Sequence, residues 1–346
     1  MNRINKLDGL RGIFALAVVL FHFNVNNAPA ALVNNFFVRD SYIFVDFFFI
    51  LSGYVISLTY NDKLNTTKFV WQFIKKRFIR LYPLLLFSTC MYWYFVHPHF
   101  DERNILLALD TLLLTNATPI LGSDIGMNYP SWSISSEMIS YLVFAICSII
   151  AVQKKKPLLI AIITIGCFGL LAYQQNYFVT GSFGFIRGLA CFNLGYFVFL
   201  LATKQFKVPN IIEWLIPFSI LGLMYYHYIV IQTSISYQLL VQFMIPISFA
   251  ICILILIKTN GLLSKLLQTQ PFLFLGKISY SVYLNQAFVI AFFIPKLYTW
   301  IHYNNEDVKK SICIYILLGI LVIYSWATQF FIEQQLGKKL LKWIMP

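Results

Sequence analysis

Ten apolar runs of about 17–21 residues, each nearly free of charge, divide this chain from end to end. They lie at about 10–26, 41–60, 81–96, 134–152, 157–173, 182–202, 211–231, 238–257, 278–296 and 311–331. A run of that length is what an α-helix needs to cross the hydrocarbon core of a bilayer. The strands of a membrane β-barrel alternate apolar and polar residues, and these unbroken runs do not. The expected fold is therefore all-α, a polytopic membrane bundle of about ten transmembrane helices. A single integral-membrane domain over 1–346, with no appended soluble domain, is expected. Hydrophobic residues make up 59% of the chain and charged ones 11%, where a soluble domain carries roughly 25% charged residues. That balance excludes an ordinary soluble enzyme, a disordered chain and, despite the net charge of +13, a nucleic-acid-binding module.

The charges sit between the runs. With both termini cytoplasmic, 19 of the 26 Lys and Arg residues fall in inside segments and 5 in outside segments, while Arg11 and Arg187 lie in or at the edge of spans. Positive charge concentrates on the cytoplasmic side of membrane proteins, so an N-in, C-in orientation in a bacterial cytoplasmic membrane is expected. Arg11 interrupts the first run, and a proline stands inside Ala28-Pro29-Ala30, so the first run reads as a retained span, not a cleaved leader. Thr66 to Arg80 alternates apolar Phe69, Val70, Phe73 and Ile74 with Lys68, Lys75, Lys76 and Arg77, the pattern of a helix lying on the membrane surface. Lys154-Lys155-Lys156-Pro157 reads as a tight turn between spans four and five. The outside segment 97–133 carries Asp101, Glu102, Asp110 and Asp124, with a short apolar helix expected over Ile105 to Leu114. The six cysteines form no C-x-x-C pair, and no zinc, Walker or G-x-S-x-G motif is present.

Ionisable side chains inside a membrane are costly and mark function by default. Here they are Arg11, His22, Asp46, Glu137 and Arg187. Arg11 and His22 are eleven residues apart, close to three helical turns, so both point the same way and stand about 16 Å apart along the axis. Gly9 and Gly12 leave room beside Arg11 for a close ligand. This geometry suits a guanidinium holding an anion and an imidazole doing proton chemistry deeper in. It equally suits an arginine snorkelling to headgroups and a histidine ending a helix. Arg77 and Arg80 share a helix face at i, i+3 and can grip phosphate in bidentate fashion, or simply serve as cytoplasmic positive charge. Asp46, among Phe44, Val45, Phe47, Phe48 and Phe49, is placed to orient His22 or to end its helix. Glu137 follows Ser133 and Ser136, a helix-capping pattern. Arg187 is placed to pair with Asp46 or Glu137, or to hold an anionic substrate group. His227, among Tyr225, Tyr226 and Tyr228, reads as part of an aromatic belt.

Taken together the motifs resemble acyltransferase family 3, the membrane-bound O-acyltransferases of cell-surface glycans. The blocks are Leu7 to Gly12 with the Arg11/His22 pair, Val45 to Tyr54, Arg77 to Pro83, Trp132 to Glu137 and Leu275 to Leu284, in the family's order. The resemblance implies transfer of an acyl group, usually acetyl, from cytoplasmic acyl-CoA to a hydroxyl of a cell-surface or lipid-linked saccharide. O-antigen and exopolysaccharide are typical acceptors. It implies His22 as the catalytic general base and Arg11, Arg77 and Arg80 as donor-binding residues. Asp46 or Glu137 would fix the His22 tautomer, Arg187 would bind substrate, and neither metal nor nucleic acid is called for. Two positions depart from the family pattern: Met138 stands where many members carry a second acid, and Asn285-Gln286 where many carry a histidine. Two other classes fit parts of the chain, a polysaccharide or lipid-linked sugar transporter or flippase and a structural subunit of a glycan-synthesis complex. The Arg11/His22 register and the Arg-x-x-Arg face favour the enzyme, because a carrier needs no CoA-phosphate site.

Overall fold

The computed structural model describes residues 4–99, 101–122, 125–151, 155–231 and 235–344. Arg3, Asp124 and Lys154, which enter the charge, loop and turn expectations above, lie outside the described residues. Among the described residues every regular element is helical. Ten helices have sixteen residues or more: α1 (Asn5–Phe21), α2 (Phe44–Tyr60), α3 (Thr67–Val96), α4 (Trp132–Ile150), α5 (Lys156–Tyr173), α6 (Gly184–Ala202), α7 (Leu215–Val230), α8 (Ile235–Lys258), α9 (Gln270–Trp300) and α10 (Glu306–Thr328).

Seven stretches are long and apolar enough to cross a membrane: Phe36–Tyr60, Tyr129–Ile150, Lys156–Tyr173, Gly184–Ala202, Tyr237–Lys258, Gln270–Trp300 and Glu306–Ile344. The expected runs at 10–26, 81–96 and 211–231 are not among them. α1 and α7 have only 17 and 16 residues, and α3 begins with a basic, polar segment. The outward surface is apolar all the same. On α5, Leu158, Ile162 and Ile165 are 64%, 58% and 71% exposed, while Asp46 and Arg187 are buried at the centre. Apolar outside and charged inside is the arrangement of a bundle whose surroundings are themselves apolar.

Two expectations about helices change. Thr66 to Arg80 does not form a separate surface helix: it is the first half of α3, which runs unbroken through Pro83 to Val96. Thr66 caps that helix by accepting a hydrogen bond from the Phe69 N–H, so the helix starts at the polar segment. At the other end of the chain, α10 passes through a π-helical segment, Gln329–Leu336, into Gly337–Ile344, well beyond the expected end at 331. The short outside helix is present as Glu102–Leu112, capped by Asp101, whose carboxylate accepts from the Asn104 N–H at 2.7 Å.

The closest helix pairs are α1 with α9 and α2 with α6, and both rest on glycine. A Cβ at Gly12 would lie 2.5 Å from the Gly276 nitrogen, and one at Gly9 2.1 Å from the Leu267 carbonyl oxygen. The space beside Gly9 and Gly12, expected for a ligand, is filled by the chain around α9. Between α2 and α6, a Cβ at Gly53 would lie 1.9 Å from the Phe192 carbonyl oxygen and one at Gly195 2.1 Å from that of Ile50. Gly53→Ala is therefore expected to destabilise the protein by about 1–3 kcal/mol. Thermal unfolding in detergent checks this. Gly319→Ala, where no atom lies within 4 Å, should leave the midpoint unchanged or slightly raised.

Candidate active site

Six of the seven expected site residues divide between two cavities, one beside the middle of α1 at Arg11 and one at its C-terminal end at His22; Asp46 lines neither. The first is lined by Arg11, Arg77, Arg80, Glu137, Tyr141 and Ser52, with Ser279 and Tyr280. Each arginine is placed by its helix. Arg11 is pinned toward α9: its Nε donates to Ser279 Oγ at 2.8 Å, one Nη to the Gly276 carbonyl at 2.7 Å, and Asp8 lies 3.4 Å away one turn back. Arg77 donates to the Tyr60 hydroxyl at 3.3 Å and lies over the rings of Tyr60, Phe73 and Tyr141 at 5.3–6.0 Å. Its Nε–H is buried and has no hydrogen-bond partner. Arg80, one turn on, is exposed.

Glu137 faces these arginines. It accepts from Ser52 Oγ at 2.5 Å and from the Tyr141 hydroxyl. The capping role expected from Ser133 and Ser136 does not occur, because Ser133 Oγ donates instead to the Pro130 carbonyl and α4 starts without a side-chain cap. A residue that the spacing did not single out joins this end. Glu333, in the π-helical segment, accepts from Ser281 Oγ and stands within electrostatic reach of Arg80 and Arg11. Glu333 lies just past the expected run ending at 331, and the prolonged helix carries it back against α9.

His22 and Arg187 line the second cavity, with Tyr42, Tyr129, Trp132 and Phe178. His22 is the C-terminal cap of α1, half-buried, its ring 4.6 Å from that of Tyr129 and 5.1 Å from that of Phe21. The tautomer-fixing contact expected from Asp46 or Glu137 is not formed. Asp46 is fully committed behind the cavity wall: Arg187 Nε donates to one oxygen at 2.7 Å and the Tyr177 hydroxyl to the other at 3.0 Å. Of the two carboxylates open to Arg187 in the sequence, the structure selects Asp46. The guanidinium also lies over the Phe178 ring at 4.8 Å, and its Nη2 is buried without a hydrogen-bond partner. Asp46 and Arg187 are 0% and 1% exposed, so the pair fixes α2 against α6 at the level of the cavity.

His227 is not part of an exposed aromatic belt. It is 1% exposed, and its Nδ1 lies 3.0 Å from Asp40 Oδ2. The buried tyrosine and carboxylate that neighbour these histidines and arginines are spread over distant segments, and spacing along the chain gives no sign of the contacts. Asn285 and Gln286, in place of a family histidine, are fully buried in α9, with Asn285 donating to Thr328 Oγ1 at 2.8 Å.

A helical bundle apolar outside, with ionisable groups gathered around two internal cavities, defines a multi-pass membrane protein. The family model described as an acyltransferase domain matches residues 4–328, and the chain belongs to that family of acyltransferase enzymes. It is 24% identical to O-acetyltransferase OatA of Staphylococcus aureus over 96% of its own length and 57% of the relative's. Against acyltransferase MdmB of Streptomyces mycarofaciens it is 32% identical, over 41% of this chain and 38% of that one. Protein 2 in the picA locus of Rhizobium radiobacter is 32% identical over 46% of this chain and 90% of its own length. The chain thus spans little more than half of the OatA relative. No solved structure matches.

Proposed function

We propose that this enzyme transfers an acetyl group from cytoplasmic acyl-CoA to a hydroxyl of a cell-surface or lipid-linked saccharide. The observation that carries the reading is the pair of cavities along α1, one rich in arginine at Arg11 and the other holding His22 at the helix end. In this reading all ten long helices cross a bacterial cytoplasmic membrane, with both termini inside. Arg11, Arg77 and Arg80 then face the cytoplasm, and the buried, unpartnered Nε–H of Arg77 suits an anionic oxygen of the donor's phosphates. Pantetheine is long and thin enough to run the roughly 16 Å from Arg11 to the level of His22.

At that level His22 takes the proton of the acceptor hydroxyl as its oxygen attacks the thioester carbonyl. The carbon–sulfur bond breaks, the ester carbon–oxygen bond forms, and the proton returns from His22 to the leaving sulfur, giving free CoA thiol. Aromatic rings of Tyr42, Tyr129 and Trp132 beside His22 suit the apolar face of a sugar. Arg187, held by Asp46, presents a positively charged edge to the same cavity.

Membrane vesicles carrying the protein, with cells bearing an empty vector as control, test the donor. Acetyl-CoA-dependent labelling of saccharide is expected, with one CoA thiol released per ester formed. Movement of saccharide without thiol release would instead make the protein a transporter. In the same assay Arg77→Ala combined with Arg80→Ala is expected to raise KM for acetyl-CoA about tenfold or more, with a smaller change in kcat, as loss of donor binding requires.

A further inference from the structure

The two cavities have two residues in common, Val45 on α2 and Tyr283 on α9. Both side chains are nearly buried, Val45 5% and Tyr283 7% exposed, so what surface they retain faces the cavities they divide. Arg11 and the other arginines lie on one side of them, His22 and Arg187 on the other. On the arginine side Phe48 lines the cavity too, its ring edge-on to that of Tyr283 at 6.1 Å between centroids. The partition is built on two helices held by close glycine contacts. α2 is locked to α6 through Gly53 and Gly195, and α9 to α1 through Gly12 and Gly276.

From this arrangement we propose that Val45 and Tyr283 are the specificity-determining residues for the acyl group. The thioester passes between them, and their bulk limits the length of acyl chain that reaches His22. The proposal rests on the acyl-CoA reading above and adds which residues choose the acyl group. An acetyl group has one carbon beyond the carbonyl. Each further methylene of a longer chain has to be accommodated beside an aliphatic side chain and a phenol ring that are already close-packed, and dense interiors yield little to added volume.

The test uses the full chain in its host membrane. Ester-linked acyl groups are released from the envelope by mild base and their chain lengths measured by mass spectrometry, for wild type, Val45→Ala, Val45→Phe, Tyr283→Leu and an empty vector. CoA binding to each purified protein is measured in detergent. Wild type is expected to add acetyl groups above the vector. Val45→Ala is expected to raise the ratio of propionyl and butanoyl to acetyl at least fivefold, and Tyr283→Leu in the same direction. Val45→Phe is expected to cut acetyl transfer at least tenfold while CoA affinity stays within twofold. If wild type adds no acyl group above the vector, the acyl-CoA reading and this proposal both fall. If wild type acetylates and the chain-length ratio is unmoved in Val45→Ala and Tyr283→Leu, the proposal alone is overturned. Should Val45→Phe also lose CoA binding, the two enlarging variants decide by themselves.

Discussion

Replacing His22 with alanine is expected to lower ester-linked acyl content of the host's surface glycan about 100-fold or more, to the level of an empty vector. A positioned general base accounts for roughly 10²–10⁴ of a rate, and no second histidine lines the described part of its cavity to stand in for it. Protein level and thermal midpoint should stay near wild type, because His22 ends a helix, is half-buried and donates no side-chain hydrogen bond among the described residues. Glycan acylation measured on cells matched for protein level is the check. Unchanged acylation in His22→Ala would remove the histidine from the chemistry and leave the second cavity as a binding site only.

Arg187→Met should have the largest effect on stability. It leaves Asp46, fully buried, with neutral donors only, the Tyr177 hydroxyl and the Cys191 thiol. Removing one partner of a buried ion pair typically costs about 3–5 kcal/mol, since the remaining charge stays unsolvated. Asp46→Asn together with Arg187→Met takes away both charges and should recover most of that loss. Thermal unfolding of the single and double variants in detergent measures it. Recovered stability without recovered acyl transfer would assign Arg187 to the acceptor side as well as to the frame, whereas recovery of both would make the pair structural only.

What could be read along the chain was whatever shows as contrast. Five charges in apolar runs stood out for that reason, and the pairing of Arg187 with an acid was among the options they offered. The choice of Asp46, and the separation of Glu137 from His22, depend on how α2, α4 and α6 pack, which no spacing encodes. Glu333 and the Asp40–His227 pair escaped notice for a related reason. One lies beyond the apolar run in a segment that continues as π-helix, and the other sits among tyrosines that read as surface. Gly9 and Gly12 were visible as small residues beside Arg11, but whether small residues admit a ligand or a helix is decided by the neighbour, here the Leu267 carbonyl and Gly276. The basic first half of α3 has the pattern of a surface helix because amphipathic periodicity is the same for a helix lying on a surface and for the first turns of a longer one.

The glycine seams described above fix more than packing. Arg11 and His22 ride on one helix, and that helix is clamped to α9, which carries Tyr283. In the proposed reaction, Arg11, His22 and Tyr283 thus sit on two helices held together by close glycine contacts. A carrier that alternates its access must swing one set of helices against another around its site. Here such a swing would have to open backbone contacts with no side chain to slide over. The proposed acyl transfer asks for no such swing: a thin arm reaches through a stationary frame, and only the cargo changes sides.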